Sequence, residues 1–122
     1  MGIMTQSPIA LSGTQANLDF TVSSTPTWGT AARVQSGSTM LMWSGNVNFN
    51  GELKYTGSNN DRDYILVAIG GTVPTDIVTG YMVEDVNMDG VVKYTGSNND
   101  RDPILVNIGG TIPTNIVTQQ LP

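Results

Sequence analysis

The chain has no cysteine and no histidine among its 122 residues. Thiol nucleophiles, imidazole bases, disulfides, zinc fingers and haem ligation by these residues are therefore excluded. A small extracellular domain without disulfides needs another source of stability, and a bound metal ion is the usual substitute. Residues that could hold a metal ion are therefore of particular interest.

Positive charge and long apolar runs are also scarce. Five Lys and Arg stand against ten Asp and Glu, which gives a net charge of −5, and the basic residues are scattered along the chain. A surface that follows phosphates is therefore not expected, and nucleic acid is a poor candidate partner. No apolar run approaches the roughly 20 residues that cross a bilayer, so we expect no membrane insertion.

The first residues, MGIMTQSPIALSG, lack the basic start and the long apolar core of a signal peptide. Two interpretations stay open at this point. Either the protein is cytoplasmic, or the chain is a mature or excised piece of a longer secreted protein.

A tandem repeat dominates the sequence. Shifting the chain by 39 residues superimposes 54–79 on 93–118, and the register also holds between 46–53 and 85–92. Such self-similarity indicates one structural unit that is doubled. We therefore divide the chain into an N-terminal β segment (1–45), a first repeat (46–84) and a second repeat (85–122). Between 54–79 and 93–118 only four pairs differ: Tyr64/Pro103, Ala68/Asn107, Val73/Ile112 and Asp76/Asn115.

Each repeat reads as a loop, a strand, a polar turn and a short helix. In the second repeat, Val91 to Tyr94 is β-prone, Thr95 to Asn99 has turn chemistry, and DPILVNIGG predicts a helix. Asp102 can cap this helix, with Pro103 at its first position. Glycines are expected to end both helices, namely Gly109 or Gly110 and their counterparts Gly70 and Gly71, while Asp63 takes the place of Asp102.

Two further strands are predicted in the N-terminal segment. Asn17 to Val22 alternates apolar and polar residues, and Thr39 to Trp43 is a second candidate. Such a sheet is too small to bury both faces, so it must lean on the repeats or on something outside the chain. Trp28 and Trp43 are interpreted as packing residues.

The loop of the second repeat has the pattern of a calcium loop. Ca²⁺ takes six to eight oxygen ligands, and EF-hand loops supply them from positions 1, 3 and 5 before a glycine. Asp85, Asn87, Asp89 and Gly90 reproduce this D-x-N-x-D-G spacing, and Val91 would offer its backbone carbonyl. An Asx-rich turn is the alternative, but closely spaced aspartates repel unless a cation neutralises them.

A carboxylate at the helix entry should complete the shell, and the spacing leaves Asp100 and Asp102 both open as ligands. The first repeat carries fewer charges, so we expect its site to bind more weakly. Arg62 and Arg101 are predicted either to pair with outward carboxylate oxygens of the aspartates beside them or to cap neighbouring backbone. The candidate ligands of the first site are Asn46, Asn48, Asn50, Glu52, Asp61 and Asp63.

The doubled motif with its short helix resembles the tandem calcium repeats of dockerin modules. The longer string, which includes WSGNVNFNGELKYTGSNNDRD and EDVNMDGVVKYTGSNNDRDPIL, resembles the C-terminal region of large secreted Bacteroidetes surface proteins of adhesin-like or haemagglutinin-like type. This resemblance implies export and two Ca²⁺ sites, but cohesin binding is not implied because the paired Ser/Thr positions are missing. The expected fold is mainly β with short helices: a small N-terminal β segment packed on two tandem EF-hand-like, dockerin-like loop–helix repeats.

The leading functional hypothesis is a non-enzymatic, calcium-stabilised extracellular module that self-assembles. An exposed strand at Asn17 to Val22 could complete a neighbour's sheet and build filaments. The alternative is an anchoring or adhesion module that binds a surface protein, or a glycan stacked on Trp28, Trp43, Tyr55 or Tyr94. An enzyme with paired carboxylates is disfavoured because nearly all carboxylates lie in the repeat loops.

Overall fold

The computed structural model describes residues 1–10, 12–14 and 16–122. They form two compact units, one made of Met1–Trp43 with Gln119–Pro122 and the other of Ser44–Thr118. In the described residues no helix has the length and apolar character needed to cross a membrane. In chain order the elements are β1 (Val34–Ser36), β2 (Thr39–Leu41), β3 (Glu52–Lys54), α1 (Asp61–Ala68), β4 (Ile77–Thr79), β5 (Val91–Lys93), α2 (Arg101–Asn107) and β6 (Ile116–Thr118).

The first unit contains one hairpin, β1–β2, which is antiparallel with Ser36 opposite Thr39. The connection has two residues, and Gly37 has φ 59°, as the tight turns of hairpins require. The predicted strand at Thr39 to Trp43 is therefore confirmed for its first three residues.

The predicted strand at Asn17 to Val22 is wrong, because the segment is irregular and then turns. Asp19 accepts a hydrogen bond from the Thr21 backbone N–H at 2.8 Å, which is an Asx turn that competes with strand formation. The guanidinium of Arg33 donates to the Phe20 and Val22 carbonyls at 2.7 and 2.9 Å and holds this turn in place.

In the second unit each strand of one repeat pairs with a strand of the other repeat. Strand β3 of the first repeat pairs with β6 of the second, and β4 of the first pairs with β5 of the second. The two registers are equivalent, since Leu53 lies opposite Val117 and Val92 lies opposite Val78. Among the described residues no strand pairs with another strand of its own repeat.

The core of this unit has the same internal symmetry. Side chains at equivalent positions of the two repeats are buried together, which closes one apolar centre between helices and hairpins. A Cβ added to Gly45 would lie 2.9 Å from Ile104 and 3.1 Å from Leu53, so the backbone packs directly on this centre. The equivalent buried pairs are Val47/Val86, Leu53/Val92, Ile65/Ile104 and Ile69/Ile108.

Both helices end as the glycine pairs predict. Gly70 has φ 110°, and the N–H of Gly71 donates to the Leu66 carbonyl at 2.8 Å. The second repeat repeats this arrangement with Gly109 at φ 113°. These are Schellman motifs, which satisfy carbonyls that a short helix would leave unpaired.

The expected tandem EF-hand-like, dockerin-like repeats are wrong as a fold. The described residues instead form two short helices and three two-stranded antiparallel sheets, so only the mainly β character of the expectation is kept. An EF-hand has a helix on each side of a 12-residue loop. Twelve residues counted from Asp85 end at Gly96, which has no carboxylate, because β5 and a turn separate the loop from α2.

Candidate metal centre

The second loop is organised by its own oxygen-bearing side chains. Asp85 is buried with 4% of its surface exposed, and its two carboxylate oxygens accept the N–H groups of Asp89 and Gly90 at 3.1 and 2.9 Å. Asn87 Oδ1 accepts from the Asp89 N–H at 2.8 Å, and Asp89 Oδ1 from the Val91 N–H at 2.9 Å. The three alternating side chains therefore line one tight loop.

Asp100 joins this loop from the entry to α2. It is fully buried, and its carboxylate accepts the N–H groups of Asn87 and Lys93 at 3.2 and 2.7 Å. One side chain thus fastens the loop to the end of β5. Of the two helix-entry candidates, Asp100 is the one that hydrogen-bonds to the loop.

Asp85 and Asp100 form a buried acidic pair. Burial raises the pKa of Asp100, and the negative charge of Asp85 raises it further, although the backbone hydrogen bonds act in the opposite direction. None of the ion pairs among the described residues involves either carboxylate. Two buried carboxylates without a cationic side-chain partner carry an electrostatic cost that a bound cation would offset.

Asp102 has a different principal role. Its carboxylate accepts from Asn99 Nδ2 at 2.8 Å, while its own N–H donates to Asn99 Oδ1 at 2.9 Å. This reciprocal pair caps the start of α2 and resembles a capping box, except that the carboxylate accepts from the side-chain amide of Asn99 and not from its backbone N–H. The predicted N-cap at Asp102 is therefore wrong, because Asn99 supplies the capping oxygen three residues earlier.

The first repeat makes the same cap with Asn60 and Asp63, whose N–H donates to Asn60 Oδ1 at 3.0 Å. Asn60 and Asn99 are buried and were missed as structural residues. The signal was present in the Asn-Asn dipeptides, since Asn is a preferred N-cap and tolerates positive φ. The preceding Asn59 and Asn98 have φ 56° and 55°.

The carbonyls of Asn59 and Asn98 lie beside the loops. Asn98 O accepts from Asn87 Nδ2 at 2.9 Å, and Asn59 O accepts from Asn48 Nδ2 at the same distance. Each turn is therefore tied to its loop by an amide hydrogen bond. The arrangement gives the loops a second oxygen-rich wall that the motif spacing did not predict.

In the first loop Asp61 takes the place of Asp100. It is fully buried and accepts the N–H groups of Val47 and Lys54 at 2.9 and 2.8 Å, and burial raises its pKa. Asn48 and Asn50 keep the turns of the loop through the N–H groups two residues ahead. The first loop therefore has one buried carboxylate where the second has two.

Asn46 replaces Asp85 in the first loop. Its Oδ1 atom is buried and accepts no hydrogen bond from any described residue. Glu52, also predicted as a ligand, instead pairs with Lys54 Nζ at 3.4 Å. A cation bound in this loop would give the unsatisfied oxygen of Asn46 a partner.

The arginines of the NDRD motifs lie away from the loops. Arg62 and Arg101 contact the carboxylates of Asp63 and Asp102, as predicted, at 3.3 and 3.6 Å. Each guanidinium also covers a tyrosine ring of its own repeat at 5.2 Å from the centroid, Tyr55 and Tyr94 respectively. These two tyrosine faces are therefore occupied by arginine.

A groove of about 620 Å³ opens beside the second loop. Asp89 and Asp102 both line it, so Asp102 lies near the loop without bonding to it. Amide side chains supply most of the remaining polar surface. The lining residues are Ser44, Asn87, Asp89, Asn98, Asn99, Asp102, Pro103, Val106 and Asn107.

The donor set suits a hard cation in chemistry, because every candidate donor is an oxygen. No group of three or more Asp, Glu, His or Cys side chains in the described part of the chain is arranged around one metal position. A site here would therefore combine at most two carboxylates, as they are placed, with amide and backbone oxygens. Val91, whose carbonyl was predicted as a ligand, is the first residue of β5 and lies opposite Thr79.

Comparison with known proteins gives no relative for this chain. No protein-family model matches it, and neither a curated protein nor a solved structure matches it. Function must therefore be argued from the site itself.

Proposed function

We propose that the chain is a non-catalytic structural module that Ca²⁺ stabilises through its second loop. The observation that carries the proposal is the buried acidic pair Asp85 and Asp100, which has no cationic side-chain partner in the part of the chain that the structure describes. Removing the partner of a buried charge typically costs 3–5 kcal/mol, so a cation at this position would contribute directly to folding.

Asp85 and Asp100 would hold the ion together with the side-chain oxygen of Asn87. The carboxylate of Asp89 would have to turn toward them to join, because the described residues place no three acidic side chains around one position. Each carboxylate oxygen that accepts one backbone N–H keeps another lone pair, so the loop's hydrogen bonds and coordination are compatible. Bound Ca²⁺ supplies positive charge that offsets the repulsion between the carboxylates. The protein's own part is to fix the loop, which the backbone hydrogen bonds from Asp89, Gly90 and Val91 already do.

The first loop is proposed as the weaker site. It carries one buried carboxylate, Asp61, together with the unsatisfied Asn46 oxygen. Affinity for Ca²⁺ falls as the number of charged ligands falls. Occupancy of this loop would therefore follow that of the second loop as calcium is added.

An extracellular location fits this role, since extracellular calcium modules work at dissociation constants of about 10⁻⁴ to 10⁻³ M. The absence of cysteine leaves the module dependent on another staple. Filament formation by donation of Asn17 to Val22 is not part of the proposal, because that segment is a turn. Anchoring to a surface protein or glycan stays a prediction.

The test is thermal unfolding of the full chain in 2 mM CaCl₂, in 2 mM MgCl₂ and in chelator. Calcium at 2 mM, roughly 2 to 20 times such a dissociation constant, should add about 0.7–1.8 kcal/mol of stability. For a unit of this size the melting temperature should then rise by roughly 3–14 °C. Magnesium, which demands stricter octahedral geometry, should give a smaller rise.

Asp85→Asn is the matched control, since it keeps the shape of the side chain and removes its charge. The variant should lose most of the calcium-dependent rise. Equal melting of the wild-type chain in calcium and in chelator would overturn the proposal and leave the loops as Asx turns.

A further inference from the structure

The strand pairing between the two repeats does not require that both repeats belong to the same chain. Each repeat presents a surface that only the other repeat completes, because β3 and β4 of the first find their partners in β6 and β5 of the second. We propose that the second repeat of one chain can take this place in another chain, so that two chains join by reciprocal exchange. The partner is a second copy of this chain, and the inference does not depend on calcium.

The contacts between repeats do not require a continuous chain. Thr56 Oγ1 donates to the Pro113 carbonyl at 2.8 Å, and Thr95 Oγ1 donates to the Pro74 carbonyl at 2.9 Å. Helix α1 contacts β5, and helix α2 contacts β3. All of these interactions would form equally well between a first and a second repeat from different molecules.

A short hinge, residues 80–84, is the part of the chain that must change. Its residues Tyr81, Met82 and Val83 are exposed, Tyr81 to 83%. The hydrogen bond from Gly80 N–H to the Gly90 carbonyl continues the β4–β5 ladder and would be remade between chains. The turn from Asp85 N–H to the Met82 carbonyl, at 3.2 Å, would be lost. Exchange therefore costs few contacts, as domain swapping requires.

The end of the chain would move with the second repeat. Gln119 and Gln120 accept hydrogen bonds from the N–H groups of Gly2 and Ala31 within the first unit. In an exchanged pair these bonds would form with the N-terminal segment of the other chain. The exchanged part thus runs from Asp85 to Pro122.

One polar contact makes the pairing specific for unlike repeats. Asn107 Nδ2 donates to the carbonyl and hydroxyl oxygens of Ser44 at 2.9 and 3.0 Å. The first repeat has Ala68 at the position of Asn107, so it cannot make this bond. Ser44 lies two residues before the first repeat, so this bond favours the pairing of a first repeat, together with the residues that precede it, with a second repeat. Two chains should therefore close into a dimer.

The first experiment removes residues 81–83 from the full chain. In the monomer the hinge must turn so that the two repeats of one chain can pair. In an exchanged dimer the hinge runs straight from the first repeat of a chain to its second repeat, which pairs with the other chain. Light scattering after size exclusion should give twice the 13.0 kDa mass of the chain. A variant with four extra Gly and Ser residues in the hinge is the control and should be monomeric. A monomeric deletion variant, folded or unfolded, would overturn the proposal.

The second experiment uses complementation between two full-length variants. Leu53→Asp damages the first repeat and Val92→Asp the second, because both side chains are fully buried. Each variant alone should lose the cooperative unfolding of the second unit. Refolded together at 1:1, the intact repeats of the two chains should restore one cooperative transition in a species of twice the chain mass. A mixture that behaves as the sum of its two components would contradict exchange.

Discussion

Thr56 in the first repeat donates its hydroxyl hydrogen bond to the carbonyl of Pro113 in the second, at 2.8 Å. Thr95 makes the equivalent bond to Pro74 at 2.9 Å, so the pair of contacts follows the internal symmetry of the unit. Each threonine thus links the turn after one strand to the opposite repeat.

Replacing either threonine by valine should destabilise the unit by about 0.5–1.5 kcal/mol, because each change removes one hydrogen bond. Equivalent positions should respond alike, and the double variant should lose about the sum, since the two bonds share no partner. Urea unfolding of Thr56→Val, Thr95→Val and the double variant measures this. A much larger loss for one threonine would show that the two halves are not energetically equivalent.

Truncation of the shared core should unfold both repeats together. Ile65 and Ile104 are fully buried at equivalent positions. We expect Ile65→Ala or Ile104→Ala to cost about 2–5 kcal/mol through lost burial and the cavity left behind. Hydrogen exchange should then show equal loss of protection in β3 and β5, although each variant changes only one helix. Val67→Ala is the control, because this side chain is exposed. Loss of protection confined to one repeat would contradict the shared core.

Charge exchange between the loops should move calcium affinity with it. Asp85→Asn gives the second loop the neutral residue of the first, and Asn46→Asp does the reverse. We expect the first change to weaken binding at the second loop by on the order of tenfold or more, and the second to strengthen the first loop. Isothermal titration calorimetry with calcium resolves the two sites. Unchanged affinities in both variants would show that Asp85 and Asn46 are not ligands.

Stability in chelator should depend on pH with a definite sign. Burial raises the pKa of both Asp61 and Asp100. A carboxyl whose pKa is higher in the folded state contributes stability that is complete below its unfolded pKa and is lost as the pH rises through its folded pKa. The contribution of these two groups to the stability of the metal-free chain should therefore increase as the pH falls through their raised folded pKa toward the ordinary value of 3.8.

Calcium should reverse this trend, since protons compete with the ion for the same carboxylates. The gain from calcium should thus be largest at neutral pH and shrink on acidification. Melting scans from pH 7 to about 4, with calcium and with chelator, measure both slopes, and comparison with the double variant isolates the part due to Asp61 and Asp100. The Asp61→Asn/Asp100→Asn double variant should lose this part of the chelator slope even if it lowers stability overall. An equal chelator slope in the wild-type chain and the double variant would contradict the prediction.

The local elements were predictable because local chemistry determines them. The paired glycines after Ile69 and Ile108 marked both helix ends, and the β-prone run from Val91 marked a strand. Strand pairing was not predictable, because two nearly identical repeats offer the same pattern for pairing within a repeat and between repeats. Only the three-dimensional packing distinguishes these alternatives.

In the N-terminal segment a local element was itself predicted wrongly. Alternation at Leu18, Phe20 and Val22 suggested a strand, but Asp19 hydrogen-bonds to the backbone two residues ahead and Arg33 holds the carbonyls of the resulting turn. A period of two over six residues is too weak to overcome such side-chain contacts. In the candidate site, the spacing identified the loop oxygens, whereas the capping role of Asp63 and Asp102 depended on the buried Asn60 and Asn99.

The pairing of β3 with β6 also determines when the unit can fold during synthesis. The first repeat leaves the ribosome before β6 has been made, so β3 has no partner until the whole second repeat has emerged. Contacts so distant in sequence slow folding, and the waiting strand edge is open to other nascent chains meanwhile. Nascent chains on neighbouring ribosomes of one mRNA would therefore come close to each other while the first repeat of each still has no paired second repeat.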